Sequence, residues 1–283
     1  MTLHEPDRDR TTRRSRIYSG RFRRSLFGSG LRHPAIYLHL PKCGGTSLSE
    51  ALYATVPMHK RIGVIDAVST RRAAAILEFG LDDAWKCHDD LEFGDLTFDL
   101  RERILTAHCC WDSHLIAGHV LLSERLRTQF VGRYKLLTIM RDPVARAISN
   151  YRMAVVAGIA DPDPEVWLAS PIARAHSTTF LRYLSGQNRI AAEQEPAALD
   201  RALSALELFS LIGFLEDVEG LVRRFEAVFG ARLVLHRYNE AKGGEARLTA
   251  EQIDRLRVMC ASDQALYDRA RALMAKAPGH AAA

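Results

Sequence analysis

The chain has 283 residues, a 47% hydrophobic fraction and a formal net charge of +5, which suffices for one large core. Residues 1–33 hold nine arginines, no lysine and three acids, so this segment carries +6 and the remainder about −1. A near-neutral body excludes one broad basic face for long nucleic acid, although it allows a local basic pocket.

Cysteine usage and the absence of an export pattern indicate the compartment. The number of cysteines is odd and two are adjacent, which is unlike a secreted disulfide framework, so we expect reduced thiols. The twin arginine at residues 13–14 is followed by further arginines rather than an apolar core. No run is long enough to span a bilayer. We therefore expect a cytoplasmic protein without a transmembrane segment.

Residues 1–33 are rich in arginine, serine and threonine and show little apolar periodicity. This composition predicts a disordered basic tail, and we place a single folded domain at residues 34–283. A solvated tail is the favoured role. Peripheral contact with membrane lipid or an acidic partner is the alternative.

The first predicted element is a buried strand at residues 35–40, because the run is short and apolar. Residues 66–81 have helical spacing, with Gly80 near the end. Residues 85–111 show no clear period and receive no element. Residues 121–130 again show helical spacing.

A second strand is predicted at residues 134–140 and ends at Arg141. Asp142 can cap a helix and Pro143 suits its first turn, so we expect a helix to about residue 156. Residues 158–171 contain two Asp-Pro pairs and predict a long binding or lid loop.

The remaining pattern continues the alternation of helices and strands. We predict helices at 178–184, 217–229 and from Thr249 onward, strands at 209–214 and 233–236, and a turn at 243–244. Such alternation predicts an α/β fold with a mainly parallel central sheet flanked by helices. Ligands of such sheets bind beyond the carboxyl ends of the strands, where Lys42 and Arg141 would lie.

The segment after the first strand has the composition of a phosphate-binding loop. Glycines allow backbone N–H groups to approach an anion, and a helix beginning here would direct its positive end at that anion. The segment is Lys42, Cys43, Gly44, Gly45, Thr46 and Ser47. Its lysine precedes both glycines, whereas the common nucleotide triphosphate loop has the lysine after them. The order indicates another phosphate donor.

Three stretches form a set in order and spacing: Leu-Pro-Lys-Cys-Gly-Gly-Thr-Ser-Leu at 40–48, Gly-His-Val at 118–120 and Arg-Asp-Pro-Val-Ala-Arg-Ala-Ile-Ser-Asn-Tyr at 141–151. Together they resemble the carbohydrate sulfotransferases, in the branch of uronyl and heparan sulfate 2-O-sulfotransferases and their bacterial relatives. Residues 211–216 and 263–267 are weaker echoes. The resemblance covers about residues 35–270 and implies a P-loop-type three-layer fold.

The resemblance implies 3′-phosphoadenosine 5′-phosphosulfate (PAPS) as the sulfuryl donor and a glycan or glycolipid as the acceptor, without a metal and without nucleic acid. The loop from Lys42 to Ser47 would hold the 5′-phosphosulfate, and Arg141 with Ser149 the 3′-phosphate. The arginine fork suits a phosphate, and the two residues are about two helical turns apart. The alternatives are an Arg141–carboxylate pair and a surface hydroxyl at Ser149.

His119 matches the catalytic histidine of the resembled family, and a base of this kind contributes about a hundred- to ten-thousand-fold in rate. Lys42 would stabilise negative charge on the bridging oxygen. The alternative for His119 is a hydrogen-bonded core histidine, and His114 is the nearest rival as base. His39 is expected to be supporting. Cys43 departs from the usual threonine and is expected to be a small buried space-filler; a thiol made reactive by a helix N-terminus is the alternative.

Two other function classes remain open. A nucleotide-dependent kinase could use residues 62–65 as a strand that ends in a magnesium-binding Asp66, and it would require ATP and magnesium. A non-catalytic nucleotide- or metal-binding module is the other class. Its candidate ligands are His108, Cys109, Cys110, His114 and His119, although their spacing does not match a usual zinc site.

Overall fold

A computed structural model describes residues 7–28, 30–88, 91–235 and 247–276. Within these ranges five strands form one sheet in the order β2-β3-β1-β4-β5, and every neighbouring pair is parallel. The strands are β1 (Ala35–Leu38), β2 (Ile62–Ile65), β3 (Leu115–Gly118), β4 (Lys135–Met140) and β5 (Phe209–Phe214).

Helices precede, connect and follow these strands. They are α1 (Asp7–Phe27), α2 (Gly45–Tyr53), α3 (Ala67–Phe79), α4 (Gly94–Cys110), α5 (Glu124–Gln129), α6 (Pro143–Val156), α7 (Pro164–Leu168), α8 (Pro171–Ser177), α9 (Thr179–Ser185), α10 (Glu195–Ala205), α11 (Val218–Phe229), α12 (Ala250–Met259) and α13 (Ala261–Lys276). Short 3₁₀ turns lie at Ala192–Gln194 and Leu206–Leu208. The predicted fold class, an α/β fold with a parallel central sheet flanked by helices, is confirmed.

The central strand β1 is buried over its whole length. All four of its residues have no exposed surface, and it pairs with β3 on one side and β4 on the other. Strands covered on both faces read as continuous apolar runs, which is why this run was recognisable in the sequence.

The strand order reverses beside β1. The chain leaves β1 toward the edge strand β2, but it leaves β4 toward the opposite edge strand β5. Open parallel sheets bind their ligands in the crevice at such a reversal, which places the expected crevice at the carboxyl ends of β1 and β4.

Most predicted elements are found where the pattern placed them. The strands at 134–140 and 209–214, the helix ending at residue 156 and the helix at 217–229 agree with β4, β5, α6 and α11. Capping explains the success, because Asp142, Asp217 and Thr249 each accept a hydrogen bond from the first turn of the helix that follows.

Residues 85–111, for which no element is predicted, contain α4. The inward face of α4 carries Phe98, Arg101, Leu105 and Cys109 at helical spacing, all buried. Arg101 is fully buried, and it donates hydrogen bonds to the Thr70 hydroxyl and to backbone carbonyls. A charged residue on the core face hid the period.

Two further expectations are corrected. The predicted loop at 158–171 contains α7, because Asp163 caps it and Trp167 stacks on Tyr151 with ring centroids 4.1 Å apart. Residues 233–235 form no strand. At the free edge of β5, the Ile212 amide donates instead to the sulfur of Met274 on α13. His236 and the predicted turn at 243–244 lie outside the described residues.

The prediction of a disordered tail is wrong for residues 7–27, which form α1. Gly20 allows close packing, because a Cβ there would lie 2.7 Å from the Cβ of Ala54. Arg21 donates to the carbonyls of Val56 and Lys60 at 3.1 and 2.8 Å. Tertiary contacts therefore stabilise a helix whose composition is typical of disorder. None of the helices in the described ranges has the length and apolar character needed to span a bilayer.

Candidate functional site

Three neighbouring strands deliver their following residues to one edge of the sheet. Leu38 of β1 is in register with Gly118 of β3 and with Thr138 of β4. His119 therefore follows one neighbour of the central strand, and Arg141 follows the other. The Lys42 loop lies between them.

The backbone of the loop has the shape of an anion cradle. Lys42 and Gly44 both have positive φ angles, 64° and 78°, which bend the chain so that successive N–H groups can face one side. Gly44 is the N-cap of α2 and makes no side-chain cap, so the first turn of the helix is uncapped. The φ angle of 78° favours glycine at this position, and a Cβ there would also lie 2.7 Å from a Leu215 methyl.

The other loop residues begin α2. Gly45, Thr46 and Ser47 form its first turn, so the helix begins two residues before the predicted start at Ser47, and their side chains lie outside the described part. Their backbone N–H groups are those that a helix N-terminus offers to an anion.

Lys42 and Arg141 are two cations of the same crevice. The Lys42 ammonium lies 3.5 Å from the Met153 sulfur on α6. Burial and the charge of Arg141 lower the pKa of Lys42. Ser149 lies one turn before Met153 on α6, so the α6 surface that faces Lys42 includes the predicted phosphate ligand. The crevice thus gathers Lys42, Arg141 and Ser149.

The turn after Arg141 is held from both sides. The Asp142 carboxylate accepts from the Ala145 amide at 2.8 Å, and Glu216 accepts from the Asp142 amide at 2.9 Å. The Tyr267 hydroxyl donates to the same Glu216 carboxylate at 3.0 Å. Glu216 is a positioning residue for Arg141 within a stretch that showed only a weak family echo.

Cys43 is buried, and its thiol lies 3.6 Å from the Pro41 carbonyl. Burial raises the pKa of Cys43 to about 12, despite the nearby charges of Arg146 and Arg141. Of the two interpretations of Cys43, the structure supports the buried space-filler and not the reactive thiol, because desolvation outweighs the positive environment. Cys43 fills space beneath the loop.

His119 stacks on His39 with ring centroids 4.1 Å apart and ring planes 24° apart. Burial lowers the pKa of His119 to about 3, and the charges of Arg101 and Arg71 act in the same direction. Burial and His119 likewise hold the pKa of His39 well below its usual value. The His119 Nδ1 atom is buried and has no hydrogen-bond partner. The site therefore contains a neutral imidazole with an unused polar atom.

His114, the rival base, lies at the opposite edge of the sheet. It precedes β3, whereas His119 follows this strand. Its Nε2 atom lies 3.0 Å from the Leu31 carbonyl. His114 thus contacts the segment that precedes β1. It lies at the amino ends of the strands, whereas Lys42 lies beyond their carboxyl ends.

Arg146 is fully buried and contacts three neighbouring elements. It pairs with Asp263 at 3.6 Å, donates to the His176 carbonyl and lies over the Phe180 ring at 5.3 Å. Asp263 also accepts from the amides of Phe180 and Leu181, both at 2.9 Å. Asp263 links α6, α9 and α13 behind the site, and only the weak echo at 263–267 pointed to it.

The residues considered for the alternative functions, Asp66 and the candidate zinc ligands, have other contacts in the structure or are not grouped as a metal site. Asp66 uses its carboxylate to cap α3 at the Ser69 amide, 2.7 Å away. Of the five candidate zinc ligands, His108 bonds to Ser113 and Cys110 is exposed. In the described ranges no three His, Cys, Asp or Glu side chains are grouped to hold a metal ion.

Comparisons with known proteins give no family. No protein-family model matches the chain, and no curated protein matches it. A solved structure from work on the PezAT chromosomal toxin–antitoxin system of Streptococcus pneumoniae is similar over 90% of this chain and 96% of that chain, with 13% identity and a TM-score of 0.32. A likeness at this level carries no argument about activity.

Proposed function

We propose that the protein transfers the sulfuryl group of PAPS to a hydroxyl of a sugar or glycoconjugate. The observation that carries this proposal is the set of neighbouring strand ends at the switch point: a left-handed lysine–glycine loop after β1, Arg141 after β4 and a neutral histidine after β3. The resemblance of the same three stretches to carbohydrate sulfotransferases supports the assignment.

The residues fit the donor by charge and shape. The Gly44 bend and the uncapped start of α2 offer backbone donors to a phosphosulfate, and Lys42 adds a positive charge at the same place. Arg141 and the Ser149 face of α6 supply the second anion site, for the 3′-phosphate. PAPS carries a 5′-phosphosulfate and a separate 3′-phosphate, so it needs two anion sites, whereas a simple phosphate ligand needs only one.

The transfer would proceed in line at sulfur. A bond forms between the acceptor oxygen and sulfur while the bond from sulfur to the bridging phosphate oxygen breaks. His119 takes the proton of the acceptor hydroxyl, and Lys42 neutralises the charge that develops on the leaving phosphate. His119 is neutral at neutral pH because burial lowers its pKa, so its imidazole is free to accept a proton.

The proposal is tested by binding of the desulfated product, 3′-phosphoadenosine 5′-phosphate, in calorimetry. The parent chain is expected to bind it, and Arg141→Ala is expected to weaken binding about 10- to 150-fold, because a charge-assisted hydrogen bond is worth roughly 1.5–3 kcal/mol. Lys135→Ala is the matched control, since Lys135 begins the strand that Arg141 follows and lies at the opposite edge.

Two outcomes would contradict the donor assignment. The parent chain could give no binding heat with this nucleotide, or Arg141→Ala and Lys135→Ala could bind it equally well. Binding of ATP only with magnesium, without binding of the bisphosphate, would support the kinase alternative.

A further inference from the structure

The outward face of α1 carries an apolar stripe. Tyr18, Phe22 and Leu26 recur every four residues and therefore lie on one side of the helix. Their side chains are 56%, 60% and 64% exposed. The opposite side holds Gly20 and Arg21, which contact the body of the protein. More than half of each stripe side chain is therefore open to solvent.

Cations border this stripe. The helix contains eight arginines and two aspartates. At 100° per residue, Arg14 lies on one side of the Tyr18–Leu26 stripe, and Arg16 and Arg23 lie on the other; all three are exposed. A helix with one apolar face bordered by arginines has the pattern of a helix that lies in a membrane interface.

A basic cavity lies beside the stripe, between α1 and α2. It has a volume of about 370 Å³, and four arginines line it: Arg16, Arg23, Arg24 and Arg232. Ser15 and Ser19 line the same cavity, and Glu50 is its acidic residue, which lies 3.6 Å from Arg13. The cavity offers guanidinium and hydroxyl donors to an anionic group of phosphate size.

We infer that α1 docks the protein onto an anionic lipid bilayer. The Tyr18, Phe22 and Leu26 side chains enter the interface, and the arginine-lined cavity receives a phosphate headgroup. A bilayer satisfies both features together. A second copy of the chain would bring two strongly basic helices against each other, and a polyanionic glycan would leave the apolar stripe in water.

The experiment is co-sedimentation of the full chain with phosphatidylcholine vesicles and with vesicles that also contain phosphatidylglycerol. We expect binding to the anionic vesicles at least tenfold stronger than to the neutral ones, and weaker binding as salt is added. Phe22→Ser with Leu26→Ser is expected to reduce anionic-vesicle binding at least tenfold. Arg23→Gln with Arg232→Gln is expected to reduce it as well.

Val258→Ser is the control, because Val258 is an apolar residue on a different helix, α12, and is 77% exposed, more than Phe22 or Leu26. It is expected to leave vesicle binding unchanged. All variants are expected to bind 3′-phosphoadenosine 5′-phosphate like the parent, so a failure of docking is distinguishable from a failure of the proposed function.

Three results would overturn the inference. Equal vesicle binding by the Phe22 and Leu26 double variant is the first. Binding to a sulfated polysaccharide with no binding to anionic vesicles is the second and would assign the arginines to a glycan. A dimer in light scattering that the double variant abolishes is the third and would assign the stripe to a second copy.

Discussion

His119 combines a suitable position with an unusual protonation state. A pKa of about 3 keeps the imidazole neutral, but it also means that the ring holds a proton weakly. A bound phosphosulfate brings negative charge near the ring, which favours the imidazolium and raises its pKa. The proposed base thus becomes stronger when the donor is bound, which couples proton abstraction to occupancy of the loop.

His119→Ala is expected to retain binding of 3′-phosphoadenosine 5′-phosphate and to lose sulfate transfer by about a hundred- to ten-thousand-fold, because it removes the base and leaves the anion ligands in place. The measurement is labelled-sulfate transfer to a panel of glycan and lipid acceptors. His114→Ala is the control and is expected to retain transfer, since His114 lies at the other edge. Full turnover by the His119 variant would move the base elsewhere.

Sequence reasoning placed the candidate site residues at one edge of the sheet, because they follow strand ends in short motifs. Lys42, Arg141 and His119 each come directly after an apolar run. It could not find Asp263, Glu216 or the stacking of His39 on His119, because these depend on which distant elements meet. The reactivity of Cys43 could not be judged from the sequence either, because it depends on the burial of the side chain.

At the scale of elements, the Arg146–Asp263 pair joins α6 to α9 and α13. Burial raises the pKa of Asp263 to about 6, while Arg146 and the two amides oppose the shift. The unfolded carboxyl has a pKa of about 3.9. Between about pH 4 and pH 6 the Asp263 carboxyl therefore holds a proton in the folded state but not in the unfolded state. The contribution of this proton to the free energy of unfolding is greatest below pH 4 and is lost as pH rises through 6.

Asp263→Asn is expected to reduce the free energy of unfolding at pH 7 by about 1–3 kcal/mol, because Asn has one acceptor oxygen in place of two and leaves the buried amide of Phe180 or Leu181 without its partner. The substitution is also expected to remove the decrease in the free energy of unfolding that the titration of Asp263 causes between pH 4 and pH 6. Urea unfolding across that range measures both effects. Asp268→Asn, at an exposed position of the same helix, is the control, with an expected change within about 0.5 kcal/mol. Equal stability of the two variants would contradict the role of the pair.

At the scale of the whole molecule, local pattern predicted the fold class but not its layout. The strand order and the crevice between β1 and β4 arise from pairings between distant segments. The four-residue strands β2 and β3 were too short to be assigned firmly, and α1 was predicted as disordered because its stability comes from contacts with residues 54–60. Composition describes a segment alone, whereas tertiary packing decided these elements.

Arg21→Ala is expected to loosen α1 from the body, because Arg21 donates to four carbonyls in residues 56–60. The expected loss of stability is about 1–3 kcal/mol. Hydrogen exchange of residues 11–27 measures it, and faster exchange is expected throughout α1. Arg14→Ala, an exposed change on the same helix, is expected to leave exchange unchanged. Identical protection in both variants would show that other contacts hold the helix.

The position of Asp263 in the chain has a consequence for biosynthesis. The ribosome delivers Arg146, β4 and the Lys42 loop well before Asp263 emerges, so the buried arginine must wait for its counter-charge until α13 has been made. The packing of α6 and α9 against α13 is therefore expected to form late, after most of the sheet has assembled. Nascent chains halted before residue 263 would leave Arg146 without its counter-charge and the Phe180 and Leu181 amides without their acceptor.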